Sequence, residues 1–224
     1  MKKTLMIAGA SIIALSTAVS ASTFTIGGGA IGAIPGGATN EVLTNVFGIG
    51  SVVGFFGATV SLDSASDVYV DFIGYEAAFD NSFTMNAPVA QTVTYSTGVP
   101  NTAYAGPGGT PPLDSYTFTS VGSGALDFSF ASAQAGSVAN GSNPLNLAGG
   151  PVNFFAAFGG STDTVYLFFD DTGAGDDDNH DDFVVRLSTN KNPGTPNHVP
   201  LPAAGFLLIG ALGGLGLAKR RKKA

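Results

Sequence analysis

Asp67-Val68-Tyr69-Val70-Asp71-Phe72 decides the fold class. On an extended chain Val68, Val70 and Phe72 fall on one face and Tyr69 and Asp71 on the other, the two-residue period of a half-buried strand. The same alternation runs through YTFTS at 116–120 and LDFSF at 126–130. Outward from these, segments rich in Val, Phe, Tyr and Thr are cut apart by Gly, Pro, Asn and Asp. Strands are expected at 42–47, 51–62, 67–75, 89–95, 115–120, 125–130, 152–158, 164–169 and 183–187. No stretch of this body keeps apolar residues at i, i+3, i+4 and i+7 through three turns, because glycine interrupts each attempt. Short strands without helical patterns between them predict an all-β fold, an antiparallel β-sandwich or jelly-roll-like domain. Residues 23–37, with six glycines and a proline, read as a flexible or edge segment. The stretches 96–114 and 132–150 read as long loops. GIGSVVGFFG at 48–57 lacks the spacing and the following helix of a dinucleotide loop, and reads as glycine-interrupted core strand.

The ends of the chain carry targeting patterns. Lys2 and Lys3, an apolar stretch from Leu5 to Ala18 and the small residues Val19-Ser20-Ala21 predict a signal peptide over 1–21 and export. The β domain is then expected over 22–187, a polar spacer with two prolines over 188–198, and a tail over 199–224. In the tail, Ala203 to Ala218 carry no charge and make a helix of roughly 24 Å, short for a bilayer core of about 30 Å. Lys219, Arg220, Arg221, Lys222 and Lys223 follow as a basic stop-transfer cluster that stays on the cytoplasmic side and leaves the domain outside.

Charge narrows the function further. All sixteen acidic residues lie between Glu41 and Asp182, and Arg186 and Lys191 are the basic residues of 22–198, so the domain with its spacer stands at −14. Such a field repels nucleic acid and attracts cations. With no cysteine there is no disulfide, thiol nucleophile or thiolate metal site.

The chemistry concentrates in FFDDTGAGDDDNHDDFVVRL, residues 168–187. Asp170, Asp171, Asp176, Asp177, Asp178, Asp181 and Asp182 lie within thirteen residues between two expected strands, with Asn179 among them. Two carboxylates about 6 Å apart repel by roughly 0.7 kcal/mol in water, so seven in one hairpin call for a counter-ion. Oxygen donors in that number suit a hard cation, which points to Ca²⁺; zinc would want more nitrogen or sulfur. The loop is not an EF-hand, since Asp181 stands where its glycine belongs and no glutamate closes it. A solvated acidic hairpin is the alternative. His180 reads as a loop residue stacking on a neighbour, and His198 as spacer. Adjacent, exposed aspartates do not resemble the buried, proton-holding acid of a glycosidase, so the chain is read as no enzyme.

Val199-Pro200-Leu201-Pro202-Ala203, the short apolar helix and the basic end resemble the PEP-CTERM class of bacterial sorting signals in its VPLPA variant. Asp176–Val184 resembles an acidic motif of exported proteins of that class, G-D-x-[DN]-[YFH]-[ND]-D-[LMF]-V, with Asp176 where the motif has glycine. Gly74-Tyr75-Glu76-Ala77-Ala78-Phe79-Asp80-Asn81 resembles a second such motif, G-x-E-A-x-x-x-N. The resemblance implies passage by signal peptidase, transient membrane anchoring through the tail, and processing by an exosortase-type protease. A structural or adhesive protein of the cell surface or extracellular polysaccharide matrix is the function expected from it. A carbohydrate-binding module, using Tyr69, Tyr75, Tyr95 and Tyr104 in place of tryptophan, is the alternative; a secreted hydrolase is a third class.

Overall fold

In a computed structural model, residues 22–87, 91–98, 101–175 and 177–191 are described. The signal peptide, Asp176, the sorting motif at 199–203 and the basic cluster at 219–223 lie outside them. No described helix is long and apolar enough to cross a membrane.

Thirteen strands follow in chain order: β1 Phe24–Ile34, β2 Val52–Leu62, β3 Ser66–Glu76, β4 Asn81–Ala87, β5 Gln91–Ser96, β6 Thr102–Tyr104, β7 Asp114–Val121, β8 Gly124–Ala125, β9 Asp127–Ser132, β10 Gly136–Ala139, β11 Asn153–Phe158, β12 Thr164–Asp170 and β13 Phe183–Ser188. The larger sheet runs β1-β2-β11-β12-β13-β3-β6, with β7 on β3 and β8 on β2; the smaller runs β10-β9-β4-β5. Every ladder is antiparallel. The all-β expectation holds, and the architecture is sandwich-like.

The alternation in 67–72 does the work expected of it. Val68, Val70 and Phe72 pack between the sheets with Phe83 and Met85 of β4 and Phe128 and Phe130 of β9. Phe130 stacks on Phe169 of β12 at 5.0 Å and meets Phe154 and Phe183, so one ring ties the smaller sheet to three strands of the larger. The central strands β11, β12 and β13 are not half-buried. Phe155, Tyr166, Phe168 and Val184 on their other face are covered by Ile34, Val42, Leu43 and Val46, which form a second core. Burial on both faces explains why these three strands read as continuous apolar runs.

The cover is the main correction to the expected elements. Residues 42–47 are not a strand; Leu43–Phe47 forms a helical turn that begins at Glu41. Asn40 Oδ1 accepts the Leu43 N–H at 2.7 Å, and Gly48 closes the turn at φ 68°. An asparagine before the turn and a glycine after it are helix start and stop signals, here stronger than the strand preference of Val42, Val46 and Phe47. The other differences are strands missed. β4 presents Asn81, Phe83 and Met85 inward, an alternation obscured by its polar ends. The stretches read as loops hold β6 and β10. The glycine-rich start is an edge strand, and its Gly29 has φ +73° at a point where a Cβ would stand 2.2 Å from Phe56 O.

Candidate metal centre

The chain between β12 and β13 folds back at one end of the larger sheet, and its carboxylates are largely buried there. Asp170 and Asp181 are 0 % exposed, Asp171 2 % and Asp182 8 %. The exposed hairpin expected from composition is therefore overturned: only Asp177 of the described aspartates here is fully at the surface, with Asp178 half-buried. The reason is the covering segment 34–41. Gly36 and Gly37 donate N–H to Asp178 O at 2.6 and 2.9 Å, Asn40 Nδ2 donates to Asn179 O at 2.7 Å, and Glu41 N–H donates to Asp181 Oδ2 at 2.5 Å. Glycine is needed at 36, where a Cβ would stand 2.4 Å from Asp178 Oδ2.

Two groups of side chains result. The first is Asp170, Asp178 and His180, whose ligand atoms all lie within 4.8 Å of one another and which could hold a metal ion. His180 Nδ1 is 3.2 Å from Asp178 Oδ1 and 3.6 Å from Asp170 Oδ2. Neither Nδ1 nor Asp170 Oδ2 has a partner of hydrogen-bond geometry among the described residues. A relay of amides settles the other ring nitrogen. Asn146 Nδ2 donates to Asp178 and Asn153 Nδ2 to Asn146 Oδ1, so Asn153 Oδ1 is left as an acceptor, 3.0 Å from His180 Nε2. Nε2 must carry the proton there, and Nδ1 meets the carboxylates either as the second N–H of an imidazolium or as a bare ligand nitrogen. The ring lies at a tilt to Phe56, with centroids 5.3 Å apart, so the expected contact of His180 with a neighbouring ring is present, yet the residue also belongs to the candidate ligands. The strand expectation placed Asp170 there; His180 was not counted among them.

The second group is all oxygen: Asp171, Asp181 and Asp182, with Asp177 at the rim. Asp171 N–H donates to Asp182 Oδ2 at 2.8 Å, and Asn81 Nδ2 donates to Asp171 Oδ2. Asn179 joins through its amide, which accepts from Asp181 N–H at 3.3 Å and donates to Asp177 Oδ1 at 3.0 Å. Burial, opposed by the Glu41 hydrogen bond and reinforced by Glu76, pushes the Asp181 carboxyl up to about 7. Burial, then the nearby Asp171 charge, pushes Asp182 up to about 9. Asp170 and Asp171 are raised chiefly by burial, whereas Asp178 is lowered, first by its contact with His180. These raised acids remove the argument that no carboxyl in the hairpin sits in a buried, proton-holding environment. Two clefts among the described residues lie elsewhere, lined by other residues.

Sequence reasoning found the aspartates and missed the residues that hold them. Asn40, Asn146 and Asn153 lie 139, 32 and 27 residues from their hairpin partners. Lone asparagines beside apolar runs were the only available signal. No family model, curated protein or solved structure matches the chain.

Proposed function

We propose that the chain is an exported protein of the cell surface or extracellular polysaccharide matrix, with a structural or adhesive role, whose β domain is braced by Ca²⁺ at the acidic hairpin. One observation carries the ion: several carboxylates are buried together, Asp170 Oδ2 and Asp181 Oδ1 are without a hydrogen-bond partner, and among the described residues no lysine or arginine pairs with them. Of the two such residues described, Arg186 is committed to Asp71 through Nε at 2.9 Å and Nη2 at 2.8 Å, and Lys191 lies near Arg186, beside the same cleft. A buried charge without a partner costs several kcal/mol, and a divalent cation removes that cost. The delivery half of the reading rests on the two chain ends, through signal peptidase and an exosortase-type protease.

The test is thermal melting of the purified protein in EDTA, in millimolar calcium and in millimolar magnesium at fixed ionic strength. Binding at a hundredfold excess over Kd stabilises by about 2.7 kcal/mol, which for a domain of this size raises the midpoint by roughly 5–10 °C. Calcium should give that rise and magnesium much less, because magnesium demands octahedral geometry and dehydrates reluctantly. Equal midpoints in all three buffers would reject the braced hairpin.

A carbohydrate-binding role keeps one observation in its favour. Tyr69 and Tyr116 line a cleft of about 370 Å³ together with Asp71, Arg186 and Lys191, a mixture of ring faces and charged hydrogen-bonding groups that suits a sugar. Tyr75 and Tyr95 are not available as platforms, being buried between the sheets. Tyr95 OH donates to Val70 O at 2.8 Å, and Tyr104 OH donates to Glu41 at 2.6 Å. A glycan array with and without calcium separates this role from a purely structural one.

A further inference from the structure

The calcium brace has no use for the one ring nitrogen set among the hairpin's acids. His180 is 0 % exposed, and its Nδ1 has no hydrogen-bond partner among the described residues; the same holds for Asp170 Oδ2, in a side chain equally buried. Nδ1 is 3.2 Å from Asp178 Oδ1 and 3.6 Å from Asp170 Oδ2, yet neither oxygen meets it with hydrogen-bond geometry. An imidazolium would aim its second N–H at one of these carboxylates, because a buried donor left unpaired is costly. Oxygens that flank the nitrogen without accepting from it leave the place in front of its lone pair to a shared ion.

The surrounding residues present these atoms to such an ion. Asn153 Oδ1 accepts from His180 Nε2 at 3.0 Å, and Asn153 is itself oriented by Asn146, whose Nδ2 is committed to Asp178. One ring nitrogen held by an acceptor and the other kept bare is how a protein offers imidazole to a metal. Asp170 Oδ1 accepts from the Thr172 N–H and Oγ1, which leaves Oδ2 as the oxygen to give. Asp178 is held from above by the Gly36 and Gly37 N–H groups on its carbonyl. We propose that His180 Nδ1, Asp170 Oδ2 and Asp178 Oδ1 are ligands of one divalent transition-metal cation of the zinc class, at a site distinct from the calcium brace.

Spacing and donor chemistry both favour that class. Bonds of about 2.0–2.1 Å in a tetrahedral shell put ligand atoms roughly 3.3–3.4 Å apart, and the two nitrogen–oxygen separations here fall on either side of that. All three ligand atoms lie within 4.8 Å of one another, so the carboxylates need only draw in on the ion. Their two negative charges match one dication. Calcium takes six to eight oxygens, whereas an imidazole in a group of three suits a borderline metal. Asp170 ends β12, while Asp178 and His180 lie in the turn beneath segment 34–41. The ion would therefore pin that turn, and the cover resting on it, to the end of the larger sheet.

The zinc-class site does not depend on the calcium brace, and one experiment lets the two fail separately. The full-length protein, purified in detergent, stripped with EDTA and freed of it, is titrated by calorimetry with ZnCl₂ and with CaCl₂, alone and in competition. Zinc should bind at a single site that excess calcium does not empty. His180→Asn, which suits the left-handed φ of 61° there, and Asp170→Asn should each weaken zinc by about tenfold or more. Asp127→Asn, an exposed acid on β9, should bind as the parent does. Zinc affinity unchanged in His180→Asn and Asp170→Asn would mean adventitious binding elsewhere and overturn the site. Calcium that binds while zinc does not, or that displaces zinc, would overturn the choice of metal and leave the brace standing; no binding of either ion would overturn both. If His180→Asn does not fold, nitrogen NMR of the parent decides: zinc should move the Nδ1 resonance of His180, and an unmoved resonance would overturn the site.

Discussion

Asn40 shows how much one short polar side chain can organise. Its Oδ1 caps the turn at Leu43 and its Nδ2 holds Asn179 O, so it couples the cover of the second core to the acidic hairpin. Asn40→Ala loses a cap worth about 1 kcal/mol and leaves a buried carbonyl without its donor, at about 1–3 kcal/mol. Urea unfolding should show the sum of the two, and the calcium dependence of the melt should weaken as the hairpin loosens. A loss below about 0.5 kcal/mol would mean that water replaces both bonds. Asp63 acts similarly at the other end of the domain, accepting from Thr23 N–H, Thr23 Oγ1, Ser22 Oγ and Ser64 Oγ. Those hydrogen bonds hold its carboxyl well below the usual range, the Thr23 N–H first among them. The cap at Leu43 and the Ser64 bond are local, but the contacts of Asn40 with Asn179 and of Asp63 with Ser22 and Thr23 join residues tens of positions apart and are not written in local sequence.

The hairpin is the element on which pH acts. Asp181 and Asp182 have carboxyls raised to about 7 and about 9, against about 3.9 for an unfolded aspartate. A raised carboxyl binds its proton more tightly in the folded state, so the folded state is favoured below the unfolded value and loses that advantage as pH climbs through the folded one. In EDTA the melting point should therefore fall from pH 5 to pH 9, most steeply up to about pH 7 while both acids keep their protons only in the folded state, less steeply from 7 to 9 where Asp182 alone does, and level off above. Calcium should flatten the slope, since a bound cation favours the ionised carboxylates and replaces the protons. A profile that is level in EDTA would show that the acids ionise at no cost, as solvated ones do. The acid-rich composition was legible beforehand; burial was not, because it comes from the segment 34–41 lying across the hairpin.

At the scale of the molecule, stability rests on aromatic contact between two sheets of unequal size. Phe130 touches Phe83, Phe128, Phe154, Phe169 and Phe183, and its loss opens a cavity where the sheets meet. Phe130→Ala should cost about 3–5 kcal/mol in urea unfolding; a cost under 1 kcal/mol would mean that the smaller sheet settles into the gap. The proposed delivery of this domain to the surface rests on the chain ends. Intact mass of cell-surface material should show loss of the end that carries Lys219 to Lys223, and protein found only at full length in the inner membrane would reject the sorting reading.

Sequence alone determined the fold class, because strand periodicity is local: side chains two apart must share a face wherever the chain is extended, and DVYVDF, YTFTS and LDFSF show it without any partner in view. It also determined the charge of the domain and the place where its acids concentrate. Tertiary structure decided the rest. It made residues 42–47 a helical turn, as capping by Asn40 and the stop at Gly48 outweighed strand preference once the turn had a sheet face to cover. It buried Asp170, Asp171, Asp181 and Asp182, gathered Asp170 and Asp178 around His180, and brought Asn81 of the other sheet to Asp171. Burial and the meeting of distant donors depend on how the elements pack against one another, and that packing has no signature within the span of any one of them.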